Sequence, residues 1–220
     1  MRRFEGRVVL VTGGSSGIGL ETARAFLGEG ARVAITARRA GRLEAARRYL
    51  ARHGDVLAVR GDVSKAGDAR RFAARTRRAL GPIDVLVNNA GVFLDRPLAL
   101  TSEREWDRVL DVNLKGTFLC TRAVLPNMLR RRMGAIVNVS SDSGLVGSAG
   151  MSAYCASKAG MILMTKALAL EVAVRGVRVN AVCPGEVDTP MLRRDMERSG
   201  LGPAYLRGVA ARIPMRRVAE

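Results

Sequence analysis

Six short apolar runs, at residues 8–12, 32–36, 56–60, 85–87, 135–139 and 177–183, alternate with longer segments of helical period. No other feature of the chain restricts its architecture so strongly. The runs are rich in Val, Ile, Leu and Ala and are bounded by turn residues, the pattern of strands buried on both faces. The segments between them, at 18–27, 42–53, 65–80, 103–131 and 152–175, read as helices. Regular strand–helix alternation implies an α/β fold, a parallel sheet joined by right-handed crossovers. With 220 residues and no internal repeat, linker or low-complexity tract, residues 1–220 are expected to form one domain around one core.

Sheets of this kind bind ligands beyond the carboxyl ends of their strands. That rim holds Gly13, Asp62, Asn88 and Asn89, Ser140 and Ser141, and Pro184 and Gly185. Unrelated turns would not all fall at strand ends. The first of them, VTGGSSGIG at 11–19, sets Gly13, Gly14, Gly17 and Gly19 between a strand and a helix. The spacing is not G-x-G-x-x-G. Even so, glycine lets the backbone approach a pyrophosphate, and the free amides opening the helix favour its charge. Ser15 and Ser16 add hydroxyl donors, and a merely structural turn needs fewer glycines.

Tyr154 and Lys158, in YCASK, stand four apart and so share one face of a helix. A free tyrosine titrates near about 10, and a neighbouring ammonium favours the phenolate. That suits Tyr154 to give or take a proton. The spacing alone is common; its weight comes from Ser140 and Ser141 at the preceding strand end and from the glycine loop.

T-G-x-x-x-G-x-G at 12–19, NNAG at 88–91 and Y-x-x-x-K at 154–158 together resemble the short-chain dehydrogenase/reductases, with a general likeness to their 3-oxoacyl-thioester reductases. Ser141 stands thirteen residues before the tyrosine, as in that family. Asn113 in DVNLKG resembles its active-site asparagine, and PGEVDT at 184–189 its motif after the sixth strand. The resemblance implies a Rossmann-type doubly wound sheet with helices on both faces. It also implies an oxidoreductase that moves a hydride between a nicotinamide dinucleotide and a carbonyl/secondary-alcohol substrate.

Carried over residue by residue, the resemblance makes Tyr154 the group that exchanges a proton with the substrate oxygen. Lys158 would lower the phenol pKa and hold the nicotinamide ribose. Ser141 would hydrogen-bond the substrate oxygen, and Asn113 would order a water leading to Lys158. The pyrophosphate is expected against Gly13, Ser15, Ser16, Gly17, Ile18 and Gly19. The adenosine side is expected against Asp62, Val63, Asn89, Ala90 and Gly91, and the nicotinamide end against Pro184, Gly185, Val187 and Thr189. For Asp62 a helix cap or turn role is the alternative; for Asn88 it is sheet stabilisation.

Cofactor choice turns on the end of the second strand. An acidic residue there binds the adenosine 2′-hydroxyl, whereas a nearby arginine accommodates a 2′-phosphate. The chain reads ITARR, with Ala37 at the acidic position and Arg38 next, which favours NADP(H) over NAD(H). Ser16, before Gly17, is not the basic residue that some NADP-using relatives carry.

The formal charge of +17 raises nucleic acid as a partner, but only four of the 37 basic residues are lysines, and the arginines are scattered over several helices. Without zinc-finger spacing or an aromatic-rich RNA-binding signature, no nucleic-acid partner is expected. The three cysteines, Cys120, Cys155 and Cys183, are widely spaced and odd in number, which argues against disulfides or a metal site. His53 is the single histidine, and no metal is expected. No apolar run reaches the roughly 20 residues of a membrane helix, so the expected location is the cytoplasm. Residues 212–220, RIPMRRVAE, resemble the segment leading into a last helix and seventh strand, where this chain stops. The sixth strand is then expected to be a sheet edge that invites association. A dimer or tetramer, weakened by the short end, follows from the resemblance. The competing reading is a shortened, non-catalytic cofactor-binding or assembly protein.

Overall fold

The structure, a computed structural model, describes residues 2–219. Six parallel strands make one sheet: β1 Val8–Thr12, β2 Arg32–Ala37, β3 Val56–Arg60, β4 Val85–Asn88, β5 Gly134–Val139 and β6 Val177–Val182. Their order is β3-β2-β1-β4-β5-β6, a Rossmann-type doubly wound sheet. The helices between them are α1 Gly17–Gly28, α2 Ala40–Leu50, α3 Ala66–Leu80, α4 Glu103–Leu110, α5 Gly116–Arg131 and α6 Ser152–Val172. The order reverses between β1 and β4, and the loops leaving those two strands diverge there, opening a crevice at the carboxyl rim.

β1 explains why the sequence shows unbroken apolar runs instead of alternation. All five of its residues are buried. Val8 and Leu10 pack in a cluster with Phe72 of α3 and Leu119 and Met128 of α5, whereas Val9 and Val11 pack with Leu27 of α1 and Leu43 and Leu50 of α2. Successive strand residues point to opposite faces, so a sheet covered on both faces needs every position apolar.

The strands fall where the sequence places them, to within about a residue at either end. The helices depart from expectation twice. The segment expected as one helix over 103–131 is broken by a π-helical turn, Asp111–Lys115, between α4 and α5. Ser102 starts α4 with a reciprocal cap: its hydroxyl accepts from the Glu105 amide, and the Glu105 carboxylate accepts from the Ser102 amide at 3.0 Å. Two further helices, α7 Pro190–Ser199 and α8 Pro203–Arg212, follow β6. Each has a single buried residue, Leu192 and Val209 respectively.

β6 has a partner on one side only, and no seventh strand lies among the described residues. Residue 219 instead returns to the segment after β6: the Asp188 amide donates to the Ala219 carbonyl at 2.8 Å, and the Ala219 amide to the Glu186 carbonyl at 3.0 Å. Among the described residues no helix is long and apolar enough to cross a membrane.

Candidate active site

The glycine loop is held against β4 by two polar side chains. The Thr12 hydroxyl, buried at the end of β1, accepts from the amides of Asn89 (3.0 Å) and Ala90 (3.1 Å) and donates to the Val87 carbonyl (3.3 Å). The Asn89 side-chain amide returns the contact, donating to the carbonyls of Thr12 (3.1 Å) and Gly13 (3.2 Å). Two glycines make this closeness possible. A Cβ on Gly13 would stand 2.8 Å from the Ala90 Cα, and one on Gly19 would overlap the Asn89 amide and lie 2.6 Å from the Gly13 carbonyl. The loop therefore keeps a bare backbone face and the α1 N-terminus together, the arrangement that receives a pyrophosphate.

A cleft of about 420 Å³ runs from this loop in both directions. Gly13, Ser15, Ser16, Gly17 and Ile18 line its centre; Asp62, Val63, Asn89, Ala90 and Gly91 line it towards α3 and β4. Tyr154, Lys158 and Thr189 also line it. Gly19, Asn113, Ser141, Pro184, Gly185 and Val187 do not line this cleft. Gly19 packs beneath the loop, and Val187 bridges to Ala219. The Pro184 carbonyl accepts from the Asp142 amide at 3.0 Å, with Gly185 beside the Asp142 carboxylate.

Tyr154 and Lys158 lie one turn apart on α6, both buried, with the ammonium 5.6 Å from the phenol ring centre. Lys158 Nζ donates to the Val139 carbonyl at the end of β5 (2.8 Å), and Ser140 Oγ donates to the Lys158 carbonyl (2.9 Å). These bonds fix α6 against β5, so that Ser141 and Tyr154 face one another across the strand end. Phe93 packs edge-on against Tyr154 with ring centres 5.0 Å apart. Asn113 sits fully buried in the π turn. Its side chain accepts from the Val92 amide (2.8 Å) and donates to the Val92 carbonyl and to Ser157 Oγ (each 3.0 Å). The extra residue of a π turn is what rotates Asn113 inward between these loops, a common device at functional sites.

At the end of the cleft beside β3 Asp62 forms a turn contact. Its Oδ1 accepts from the Ser64 amide (3.0 Å) and hydroxyl (2.8 Å), while its Oδ2 lies 3.8 Å from the Arg38 guanidinium. Asn88 belongs to a buried ladder below the rim, donating to Thr121 Oγ1 (3.0 Å) and to Asn138 Oδ1 (2.9 Å). Thr36 Oγ1, buried in the cleft wall, has no hydrogen-bond partner among the described residues. A bare glycine face, a helix N-terminus and an unpaired wall hydroxyl suit a nucleotide diphosphate.

The chain was compared with known proteins. Residues 7–199 match the family model for short chain dehydrogenases. A 2-(R)-hydroxypropyl-CoM dehydrogenase from Xanthobacter autotrophicus is 43% identical over 217 residues, spanning 96% of this chain and 85% of that protein. A 3-oxoacyl-[acyl-carrier-protein] reductase from Thermotoga maritima is 42% identical over 90% of this chain and 80% of its own length.

The chain belongs to the short-chain dehydrogenase family.

Solved structures agree. Levodione reductase superposes with a TM-score of 0.95 at 32% identity, covering 99% of this chain and 87% of that one. A variant of actinorhodin polyketide ketoreductase solved with NADPH gives 0.93 at 38% identity, covering 97% and 85%. The protein is thus an NAD(P)-dependent oxidoreductase of the CH–OH/C=O class.

In this short-chain dehydrogenase, burial dominates the electrostatics of the site. It pushes the Tyr154 phenol up to about 12; a hydrogen bond from Ser141 opposes the rise, and the nearby Asp142, Glu186 and Cys155 add to it. Burial also pulls the Lys158 ammonium down to about 8, with Cys183 opposing. In the protein by itself, burial thus shifts both groups towards their neutral forms.

Several lining residues lie outside the sequence motifs. Arg39 and Arg42 join Arg38 in the cleft only because β2 ends where α2 begins. Met191 and Arg194 enter through α7. Phe93 follows the NNAG motif directly, and its nearness to that motif was the available clue.

Proposed function

We propose that the protein reduces a carbonyl, or oxidises the matching secondary alcohol, with Tyr154 as general acid or base and NADP(H) as preferred cofactor. What supports this most is that Tyr154, beside Ser141, lines one cleft with Lys158 and the glycine loop. A bound nicotinamide dinucleotide supplies or removes the hydride. Tyr154 passes its proton to the carbonyl oxygen during reduction and takes it back from the alcohol during oxidation. Ser141 orients the substrate oxygen. Lys158 holds the ribose hydroxyls and, once charged, favours the phenolate. Asn113, anchored on Val92 and Ser157, supports the relay that returns the proton to Tyr154 through Lys158.

The NADP(H) preference rests on Arg38, Arg39 and Arg42, three guanidiniums lining the cleft just beyond Ala37. The Arg38–Asp62 pair is half exposed, at 51% and 29%; such a pair holds an arginine weakly, which leaves Arg38 able to turn to a 2′-phosphate. Replacing Arg38 by Ala is expected to raise the NADPH KM about ten-fold or more and the NADH KM little, consistent with losing one charge-assisted contact. Equal changes would overturn the preference. A cytoplasmic setting and a one-domain organisation over residues 1–220 complete the proposal.

The proposed oligomer is a dimer or tetramer of this chain. α6 turns Leu163 and Leu170 outward, 68% and 83% exposed, with Val174 in the turn that follows, and among the described residues β6 has a partner on one side only. An apolar face of that kind is an interface signature. Light scattering should report more than one copy per particle, and substitution of Leu163 and Leu170 by Ser should return the monomer.

A further inference from the structure

The glycine loop suited to a pyrophosphate carries no cation of its own. Residues 12–19 read TGGSSGIG, so the loop offers only amides, the hydroxyls of Thr12, Ser15 and Ser16, and the N-terminus of α1. A cation for the phosphates would come from another element. Most basic side chains of the cleft are placed or engaged elsewhere. Arg38, Arg39 and Arg42 follow β2, Arg108 stands on α4 and shares an adjoining recess with Asp62 and Ser64, and Lys158 is bonded to the Val139 carbonyl.

That leaves α7, which starts on the loop. A Cβ at Gly17 would stand 3.2 Å from Thr189 Cγ2 and 3.6 Å from Pro190 Cδ. Pro190, Arg194 and Arg198 all line the cleft and recur every four residues, which sets them in one file along the helix. Arg194 therefore stands about 6 Å along the axis from the proline beside Gly17. Helical side chains lean towards the N-terminus, here the loop end, so a guanidinium at 194 is directed back over Pro190.

Both guanidiniums are uncommitted. Arg193 is held by Asp188 through two bonds of 2.8 Å, whereas among the described residues Arg194 and Arg198 have no hydrogen-bond or ion-pair partner. Asp195 also lines the cleft but pairs with neither, and burial holds its carboxyl above the ordinary range although Arg198 and Arg194 oppose the rise. Leu192 is the single buried residue of α7, so the helix can settle on a ligand without disturbing the core.

Resting on the reading that this cleft holds a nicotinamide dinucleotide, we propose that Arg194, seconded by Arg198, binds the pyrophosphate that lies on the glycine loop. The loop gives backbone amides and α7 gives charge-assisted donors. These arginines serve the part common to NAD(H) and NADP(H), unlike Arg38, which serves the 2′-phosphate. Asp195, on the same helix beside them, weakens the grip when ionised.

Direct binding tests this without turnover. Calorimetry gives Kd for NADPH, NADH, ADP-ribose and adenosine 2′-phosphate. R194A should weaken the first three alike, by about ten-fold, the loss of one charge-assisted bond. R198A should weaken the same three by about three-fold. Adenosine 2′-phosphate has no pyrophosphate and should bind both variants as it binds the unsubstituted protein. R38A should show the reverse pattern, losing affinity for NADPH and adenosine 2′-phosphate and sparing ADP-ribose. D195N should tighten the three pyrophosphate ligands by about two-fold. Because neither arginine has a partner, the ligand-free Tm of R194A should stay unchanged while its NADPH-induced rise shrinks.

Equal weakening of all four ligands by R194A would reveal a diffuse charge effect and overturn the proposal. Unchanged dinucleotide affinity with a raised KM for acidic ketones would place the arginines at the substrate and overturn it too. If the unsubstituted protein binds the dinucleotides and R194A binds them equally well, the pyrophosphate contact alone falls. If the unsubstituted protein binds no dinucleotide, the cofactor reading falls and this proposal with it.

Discussion

The two ends of the cleft are built in opposite ways. At the glycine loop a single buried hydroxyl, that of Thr12, serves two amides of the neighbouring strand's loop, and missing side chains at Gly13 and Gly19 let backbones touch. At the other end α7, with α8 and residues 142–151 outside it, leaves Leu145, Val146 and the linking Leu201 each more than 60% accessible. Only Leu192 and Val209 anchor those two helices. The first end is part of the sheet's own stability; the second is laid on top of it. The outer wall can therefore change without disturbing the core.

The contrast can be broken most severely at Thr12. Thr12→Val keeps the shape and removes the hydroxyl, leaving the part-buried amides of Asn89 and Ala90 without their acceptor. The expected loss is about 1–3 kcal/mol of stability, read by urea denaturation, together with weaker dinucleotide binding. A neutral result would mean that the loop does not depend on this hub.

Lys158 gives a pH-dependent version of the same test. Its folded pKa, about 8, lies below the ordinary 10.5, so between those values the unfolded chain binds more protons than the folded one. Stability should therefore rise with pH across that window, through deprotonation of Lys158. The Tyr154 phenol, raised to about 12, works in the opposite sense and lowers stability only above its ordinary value of 10.0. Thermal denaturation of Lys158→Met should lack the rise; an unchanged pH profile would contradict the buried, depressed ammonium.

At the outer wall the smallest effect is expected. Leu145→Ser should shift stability by no more than about 0.5 kcal/mol, while changing KM for apolar ketones several-fold. A large stability loss would mean that the wall belongs to the core after all.

The same division governs what could be read from the sequence. The strands and the glycine loop were legible because burial on both faces forces continuous apolar runs and a tight turn forces glycine. Tyr154 and Lys158 were legible as an i, i+4 pair and Ser141 through the family resemblance, and strand β5 and helix α6 bring that strand end and that helix face together. The π turn at Asn113 was not, since one extra residue in a helical turn leaves no compositional trace. Helices α7 and α8 were missed because each buries only one side chain.

The most direct measurement is single-turnover and steady-state oxidation of NADPH with a panel of ketones, run in parallel on the unsubstituted protein and on Tyr154→Phe, with NADPH binding measured on both. Removing the proton donor should reduce turnover by at least about 10²-fold while cofactor affinity stays within a few-fold. Full turnover by the Phe variant, or no turnover by an unsubstituted protein that binds NADPH, would refute Tyr154 as the acid of a carbonyl reductase.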